Sequence, residues 1–292
     1  MTAEPAANPN PSPLADSPAA PVPGRTQDSA AVEGFFQVDG DDLIPTEISA
    51  SPWGPVLHGR LIGGLTARAV EQARAQDPEL ICARLTIDMF RSAPLAPMRV
   101  SVRPIRAGRR IAVLEVTVEQ GKGPIGQGKA VLLRRSEQPE GTFRQTPPWA
   151  SPAPEQLGPP RNSVNGKGLG RDGYRFAAPW QAWTVTGSSG PLSDGVWIRD
   201  VYPLIAGEEL TPLERLGMAA DLASPQTNSS DRGLSFINAD YTVYLGREPQ
   251  GEYIGIEPYG HISDRGVAVG QAVAHDRQGP VGFVATAAIA NS

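Results

Sequence analysis

Asp221 is the residue in this chain whose type and setting point most directly to chemistry. It stands in TPLERLGMAADLASP, Thr211–Pro225, among Leu213, Leu216, Gly217, Met218, Ala219, Ala220, Leu222 and Ala223. A carboxylate in so apolar a segment must be paired, solvated in a pocket or protonated. Burial that raises its pKa would suit a general base working near neutral pH. The plainer alternative is a structural Asp that accepts hydrogen bonds from the following SPQTNSS. A second candidate is the pair His58-Gly59, where helical periodicity begins. Free N–H groups at a helix N-terminus, with the dipole behind them, can hold an oxyanion. Otherwise His58 is a cap or a packing residue.

Other chemistries find no support in the spacing. The three histidines and the single Cys82 form no metal-ligand motif, so no metal site is expected. No GxSxG elbow and no GxxxxGK[ST] loop occurs. GxGxxG appears as a bare string from Gly121 and from Gly168, in a turn and in a linker, where neither opens a helix after a strand. Cys82 lies in the strand-like ELICARLTIDMF and reads as a buried structural thiol. His261 and His275 sit beside predicted turns and read as surface residues. A net charge of −5 without a basic block argues against a nucleic-acid partner. A lone cysteine fits a reducing, cytoplasmic setting, and no apolar run reaches the ~20 residues of a membrane span.

The elements that must position Asp221 read as follows. Residues 1–30, rich in Pro, Ala and Ser, are expected to be a disordered tail. The Thr211–Pro225 segment reads as one short buried helix. Thr211 and Glu214 form a capping box, Pro212 sits at the first helical position, and Pro225 stops it. An earlier helix starts at His58 with Leu61, Ile62, Leu65, Ala69 and Ala73 on one stripe. Gly63 and Gly64 inside it imply close approach of another backbone, as in a helix pressed into the concave face of a sheet. A hairpin over 33–50 precedes that helix, and four strands follow it: ICARLTIDMFR, MRVSVRPIRAG, RRIAVLEVTVEQ and GPIGQGKAVLLRR. A Pro/Gly-rich linker covers 136–173, with Trp149 pinning part of it to the surface. Strands GYRFAAPWQAWTVTG and GVWIRDVYPLIAG then lead into the second helix, and four more strands follow that.

The second half therefore repeats the first. Gly108–Leu133 superposes on Asp264–Ile289 without a gap. Arg109, Ala112, Val113, Gly123, Pro124 and Gly126 fall on Arg265, Ala268, Val269, Gly279, Pro280 and Gly282. An internal duplication accounts for this better than two unrelated meanders do. The fold class is α+β: a double hotdog, two tandem repeats of a long helix wrapped by a curved antiparallel sheet. The N-terminal hotdog covers 31–135 and the C-terminal one 174–292.

Several segments carry a more specific likeness: the HGRLIGG run from His58, GVWIR from Gly195, MAADLAS from Met218, NADYTVYLGREP from Asn238 and GPVGFVATAAIA from Gly279. Together and in order they resemble the acyl-CoA thioesterase II-like family of double-hotdog thioesterases. The resemblance covers residues ~33–290. It implies hydrolysis of a fatty acyl-CoA to free acid and CoA, with no metal, no cofactor beyond the CoA of the substrate, and no covalent intermediate. An Asp on the second helix, a Thr or Ser on the next strand and a Gln on the last strand would orient a water. By position these fall on Asp221, on Asn238 and at or near Thr286, so only the Asp is kept in kind. Asn238 can still donate to and accept from a water, or be an ordinary strand-edge Asn. Thr286 is shorter than Gln, and is also a common strand former. His58-Gly59 would meet the thioester carbonyl, and Arg60, Arg68, Arg84, Arg91, Arg109, Arg110 and Arg247 are candidates for the CoA phosphates. A non-catalytic acyl-thioester or fatty-acid binding protein on the same fold is the alternative. A hydratase is disfavoured because no acid and His share the needed spacing on the first helix. Association into a homo-oligomer through an exposed apolar face or sheet edge is compatible with this reading.

Overall fold

The computed structural model describes residues 33–121, 123–160, 178–186 and 192–291. The expected tail, the GLGRDG string and residues 161–173 of the expected linker lie outside the described residues. The chain opens on a hairpin, β1 (Phe36–Asp39) and β2 (Asp42–Pro45), closed by Gly40 at φ +60°. A second hairpin, β3 (Ala50–Ser51) and β4 (Gly54–Leu57), delivers the chain to His58. Helix α1 (Arg60–Arg74) buries Leu61, Ile62, Leu65 and Ala69 of the stripe its periodicity predicts, while Ala73, the last member, is exposed near the helix end. Then come β5 (Leu80–Met89), β6 (Arg99–Ala107), β7 (Ile111–Gln120) and β8 (Gly123–Arg134).

After an irregular stretch the chain forms β9 (Trp180–Val185) and β10 (Gly195–Asp200), then α2 (Pro212–Ala220) and α3 (Ala223–Thr227). Short strands β11 (Ser229–Ser230) and β12 (Gly233–Leu234) pair with each other. They lead to β13 (Phe236–Asn238), β14 (Asp240–Leu245), β15 (Ile254–Asp264), β16 (Val267–Asp276) and β17 (Gly279–Ala290). One antiparallel sheet runs β6-β7-β8-β5-β14-β17-β16-β15-β10-β9, with β13 on β17.

The order β6-β7-β8-β5 meets its own reversal, β14-β17-β16-β15, at the β5–β14 seam. The shift that lays Ile111 on Val267 makes β7 and β16 coincide end to end, and β8 and β17 as well. The bulge at Val118/Glu119 falls on the bulge at Ala274/His275. The same shift carries Thr86 onto Thr242, and these two are paired across the seam with their hydroxyls 3.0 Å apart. A local two-fold relation thus passes between two equivalent threonines, as a tandem duplication requires.

The helices depart from expectation. Thr211 and Glu214 form the capping box, with the Glu214 N–H donating to Thr211 Oγ1 at 3.1 Å and the Thr211 N–H to Glu214 Oε2 at 2.8 Å. But Thr211–Pro225 is not one helix, so the second repeat carries no long helix. It breaks at Asp221, the C-cap of α2. Pro225 acts four residues upstream. Its missing N–H and its ring both fall where a continuous helix would bond the Asp221 carbonyl. The chain turns there instead, and Pro225 lies within the first turn of α3, where no donor is needed.

Gly63 and Gly64 do mark a close approach, but to α2 rather than to the sheet. A side chain on Gly63 would begin 2.6 Å from the Gly217 carbonyl and within 1.7 Å of Tyr241 Oη. One on Gly217 would begin 2.9 Å from the Gly63 carbonyl. Tyr241 is buried and donates its hydroxyl to the Gly217 carbonyl at 2.6 Å, which pins β14 to the crossing. Against the sheet, α1 relies on glycines of β8: a Cβ on Gly126 would meet Ile62, and one on Gly128 would meet Thr66. Thr66 and Ile62 fill those places, so α1 lies close against β8 there.

Trp149 pins the irregular segment to the outside of the second half. Its ring lies 5.3 Å from Trp197 and 5.6 Å from His275, and Trp197 Nε1 donates to Ser151 Oγ at 2.9 Å. His275 is consequently buried at the end of β16 and pairs with Glu257 at 2.8 Å, while His261 lies within β15. His275 is therefore not the surface residue that local sequence predicted, because the linker covers it, whereas His261 is exposed as expected but in a strand that runs longer than its turn signal.

Gly63→Ala is expected to destabilise the protein by about 1–3 kcal/mol in urea unfolding, the usual cost of overpacking. Adding Tyr241→Phe, which removes the nearest colliding atom, is expected to restore part of that loss, so the double mutant will be less than additive.

Candidate active site

The helix crossing decides which residues meet. Gly59 lies one turn before Gly63 on α1, and Asp221 one turn after Gly217 on α2. Crossing at the glycines therefore brings Gly59 to Asp221: a Cβ on Gly59 would sit 3.9 and 4.0 Å from the two carboxylate oxygens. It would also collide with Met89 Sδ at 2.8 Å. Glycine at this position lets the Met89 thioether pack against the backbone beside the carboxylate. On the opposite side of the crossing the corresponding turns carry Ala67 and Leu213, which are buried and apolar. Beside them stand the buried Glu214 of the capping box and the Arg68–Glu208 ion pair, so the polar groups on that side serve the helix end and the surface.

Asp221 is 7% exposed, away from bulk solvent. Its Oδ1 accepts a hydrogen bond from Asn238 Nδ2 at 2.8 Å. Burial raises its pKa, while the Asn238 hydrogen bond and the nearby Arg60 charge pull the other way. Its position at the C-terminal end of α2 also disfavours negative charge. His58 Nδ1 is 3.8 Å from Asp221 Oδ2, but this is no ion pair. Burial, with the Arg60 charge adding to it, pushes the imidazole down to about 3, so His58 is neutral. Its Nδ1 accepts the Arg60 N–H at 3.3 Å, and its ring meets the edge of Trp180 at 5.4 Å.

At the start of α1 the amides are allotted in turn. The Arg60 N–H goes to His58 Nδ1, the Leu61 N–H to the His58 carbonyl and the Ile62 N–H to the Gly59 carbonyl. Among the described residues the Gly59 N–H has no acceptor, and it lies at the positive end of the helix. The geometry thus joins Asp221, Asn238, His58 and Gly59.

Thr286 is held elsewhere. It is buried and accepts from Asn228 Nδ2 at 3.2 Å. The same amide donates to Ser224 Oγ at 3.2 Å, and Asn228 Oδ1 contacts His261 Nδ1 at 2.8 Å. Across β13–β17 the residue opposite Asn238 is Ala288, with Thr286 one inward-facing position further along. Asn228 gave no distinct signal in SPQTNSS. Arg60 and Asp200 were missed as a pair, because two segments far apart in sequence contribute one charge each. They meet at 2.7 Å with both side chains almost wholly buried, and Trp180 packs 4.5 Å from the guanidinium. Cys82 is the buried thiol expected, pushed up to about 12 by burial.

A two-helix core crossed beneath a duplicated antiparallel sheet is a hotdog-type architecture, and here it places the buried Asp221 beside the start of α1. Residues 49–133 match the acyl-CoA thioesterase N-terminal domain and residues 144–289 the acyl-CoA thioesterase C-terminal domain, so the chain belongs to the acyl-CoA thioesterase family and is a thioesterase. No curated protein matches it in sequence. Among solved structures, the fold is similar to the tesB protein of Mycobacterium avium subspecies paratuberculosis. That pair has 12% identity and a TM-score of 0.60, over 88% of this chain and 96% of that one. It is also similar to the acyl-CoA thioesterase II TesB2 of Mycobacterium marinum, at 16% identity and TM-score 0.59 over 87% and 94%. A conserved protein with hot dog fold from Alicyclobacillus acidocaldarius matches at 16% identity and TM-score 0.58, over 88% and 96%. No helix among the described residues is long and apolar enough to cross a membrane.

Removing one member of the Arg60–Asp200 pair strands a buried charge. Arg60→Gln is expected to cost about 3–5 kcal/mol in chemical denaturation. The double replacement Arg60→Met with Asp200→Leu is expected to cost clearly less, since no charge is then left unpaired.

Proposed function

We propose that this thioesterase hydrolyses a fatty acyl-CoA to the free acid and CoA by water attack that Asp221 directs. The observation that carries the reading is the buried Asp221 carboxylate, with one oxygen bonded to Asn238 and Gly59 standing alongside. In its ionised form Asp221 takes a proton from a water as the water oxygen bonds to the thioester carbon. Asn238, whose amide nitrogen orients the carboxylate, has its own carbonyl oxygen to accept from that water. Negative charge collects on the former carbonyl oxygen, and the Gly59 N–H at the start of α1 stabilises it. The tetrahedral adduct collapses, the C–S bond breaks, and the proton on Asp221 passes to the departing thiolate. No bond to the protein forms at any stage.

One observation favours the binding-protein alternative. Thr286 is engaged by Asn228 rather than by Asp221, so the third water-orienting group of the family has no evident counterpart. Tight acyl-CoA binding with no thiol release would mark that reading.

A panel of acyl-CoAs with a thiol reagent distinguishes the two. Asp221→Asn is expected to lower kcat by about 10²–10⁴-fold, the usual share of general-base catalysis. Because burial raises the folded-state pKa of Asp221 above its unfolded value, ionisation at pH 7 opposes folding. The neutral variant should therefore melt no lower than wild type at pH 7, and a drop in Tm would point to misfolding rather than lost chemistry. The rate should fall as pH drops through the raised Asp221 pKa. Asn238→Ala removes a bond that favours the charged form, so it should move this acid limb to higher pH as well as lower kcat.

A further inference from the structure

Three cavities bounded by described residues differ in size and in charge. Two hold about 190 and 210 Å³, below the roughly 300–1,000 Å³ usual for small-molecule sites. Their arginines are neutralised, Arg277 by Glu155 at 2.9 Å and Arg68 by Glu208 at 2.6 Å. The third holds about 730 Å³, and Arg91, Pro94, Ala96, Pro97, Gln120 and Pro124 are among its walls. Arg91 donates only to the carbonyls of Gln120 and Gly123, at 3.2 and 3.4 Å. Among the described residues no carboxylate pairs with it. Of the other arginines considered for phosphate, Arg60, Arg68 and Arg247 are paired with Asp200, Glu208 and Asp276, and Arg84, Arg109 and Arg110 line none of these three cavities.

The groove is joined to the reacting centre from two sides. Met89, which fills the space beside Gly59, precedes Arg91 by two residues. The Leu57 N–H donates to the Ala93 carbonyl at 2.7 Å and Val56 bridges Pro94, so the wall is stitched to β4, the strand entering His58. The buried Gln120 amide donates to the carbonyls of Pro94 and Ala96 at 2.9 and 2.8 Å, which holds the wall in shape.

We infer that this groove receives the phosphorylated nucleotide end of the acyl-CoA, with Arg91 against a phosphate and the proline-lined wall against the nucleoside. The inference rests on the acyl-CoA reading above. A guanidinium fork matches phosphate oxygens, and an unneutralised one beside an apolar wall suits a ligand that is both charged and flat.

The test compares an acyl-CoA with the acyl-pantetheine thioester of the same chain, which lacks the nucleotide and its phosphates. Arg91→Ala is expected to raise KM for acyl-CoA about tenfold or more, the weight of a charge-assisted contact, with little change in kcat. KM for acyl-pantetheine should not move, and Arg91→Lys should fall between. Equal KM values for wild type and Arg91→Ala on acyl-CoA, or equal losses on both substrates, would overturn the inference. If wild type turns over neither substrate, the hydrolytic reading fails by itself. Calorimetric binding of CoA alone then decides the groove: weaker binding by Arg91→Ala supports it, and unchanged binding overturns it.

Discussion

The structure depends on two helices touching backbone to backbone. At Gly63 and Gly217 nothing larger than hydrogen fits, and the Tyr241 hydroxyl locks the contact from the sheet side. Close approach at one point fixes what lies a turn away on either side. On one side it sets Gly59 against Asp221, and on the other it leaves Ala67 and Leu213 to fill space. A wider crossing would separate the start of α1 from the end of α2, and the acid would lose its neighbour. The same asymmetry explains why the two sides of the crossing differ in a duplicated frame.

That centre is an electrostatic compromise. The carboxylate of Asp221 is desolvated and sits at the negative end of its helix, and both effects resist ionisation. Asn238 and the Arg60 charge oppose them without forming a direct ion pair with the acid. Arg60 is itself neutralised by Asp200, so its field is tempered. A full salt bridge to Asp221 would hold the acid firmly ionised but make it a poor base. A wholly apolar pocket would keep it protonated. The observed arrangement combines the two influences, burial raising the pKa and Asn238 and Arg60 opposing it, as the general-base role proposed above calls for.

Much of the fold could be read from the chain. The strands of the two meanders, the start of α1 and the capping box of α2 all follow from local pattern, because alternation, turn glycines and caps act within a few residues. The gapless overlap of Gly108–Leu133 with Asp264–Ile289 carried the two-fold relation before any pairing was visible. Local reading failed where distant segments compete. The break after Ala220 came from Pro225 acting on the carbonyl four residues back. The burial of His275 came from Trp149, far away in the linker. Gly63 signalled a neighbouring backbone correctly but could not say whose, and Gly64 meets the side chains of Met218 and Leu204 instead.

By itself the sequence determined the kind of architecture and the acid worth attention, which rest on periodicity, repetition and a carboxylate in an apolar segment, while the family followed from the resemblance of a few ordered segments. Only the tertiary structure decided the company that acid keeps. It brought in Asn238 and Gly59, gave Thr286 to Asn228, made His58 a neutral cap, and left Arg91 without a carboxylate beside an open groove. Those outcomes turn on pairings between residues remote along the chain. Hydrogen bonds and ion pairs act over a few ångströms of space, and sequence distance carries no record of that.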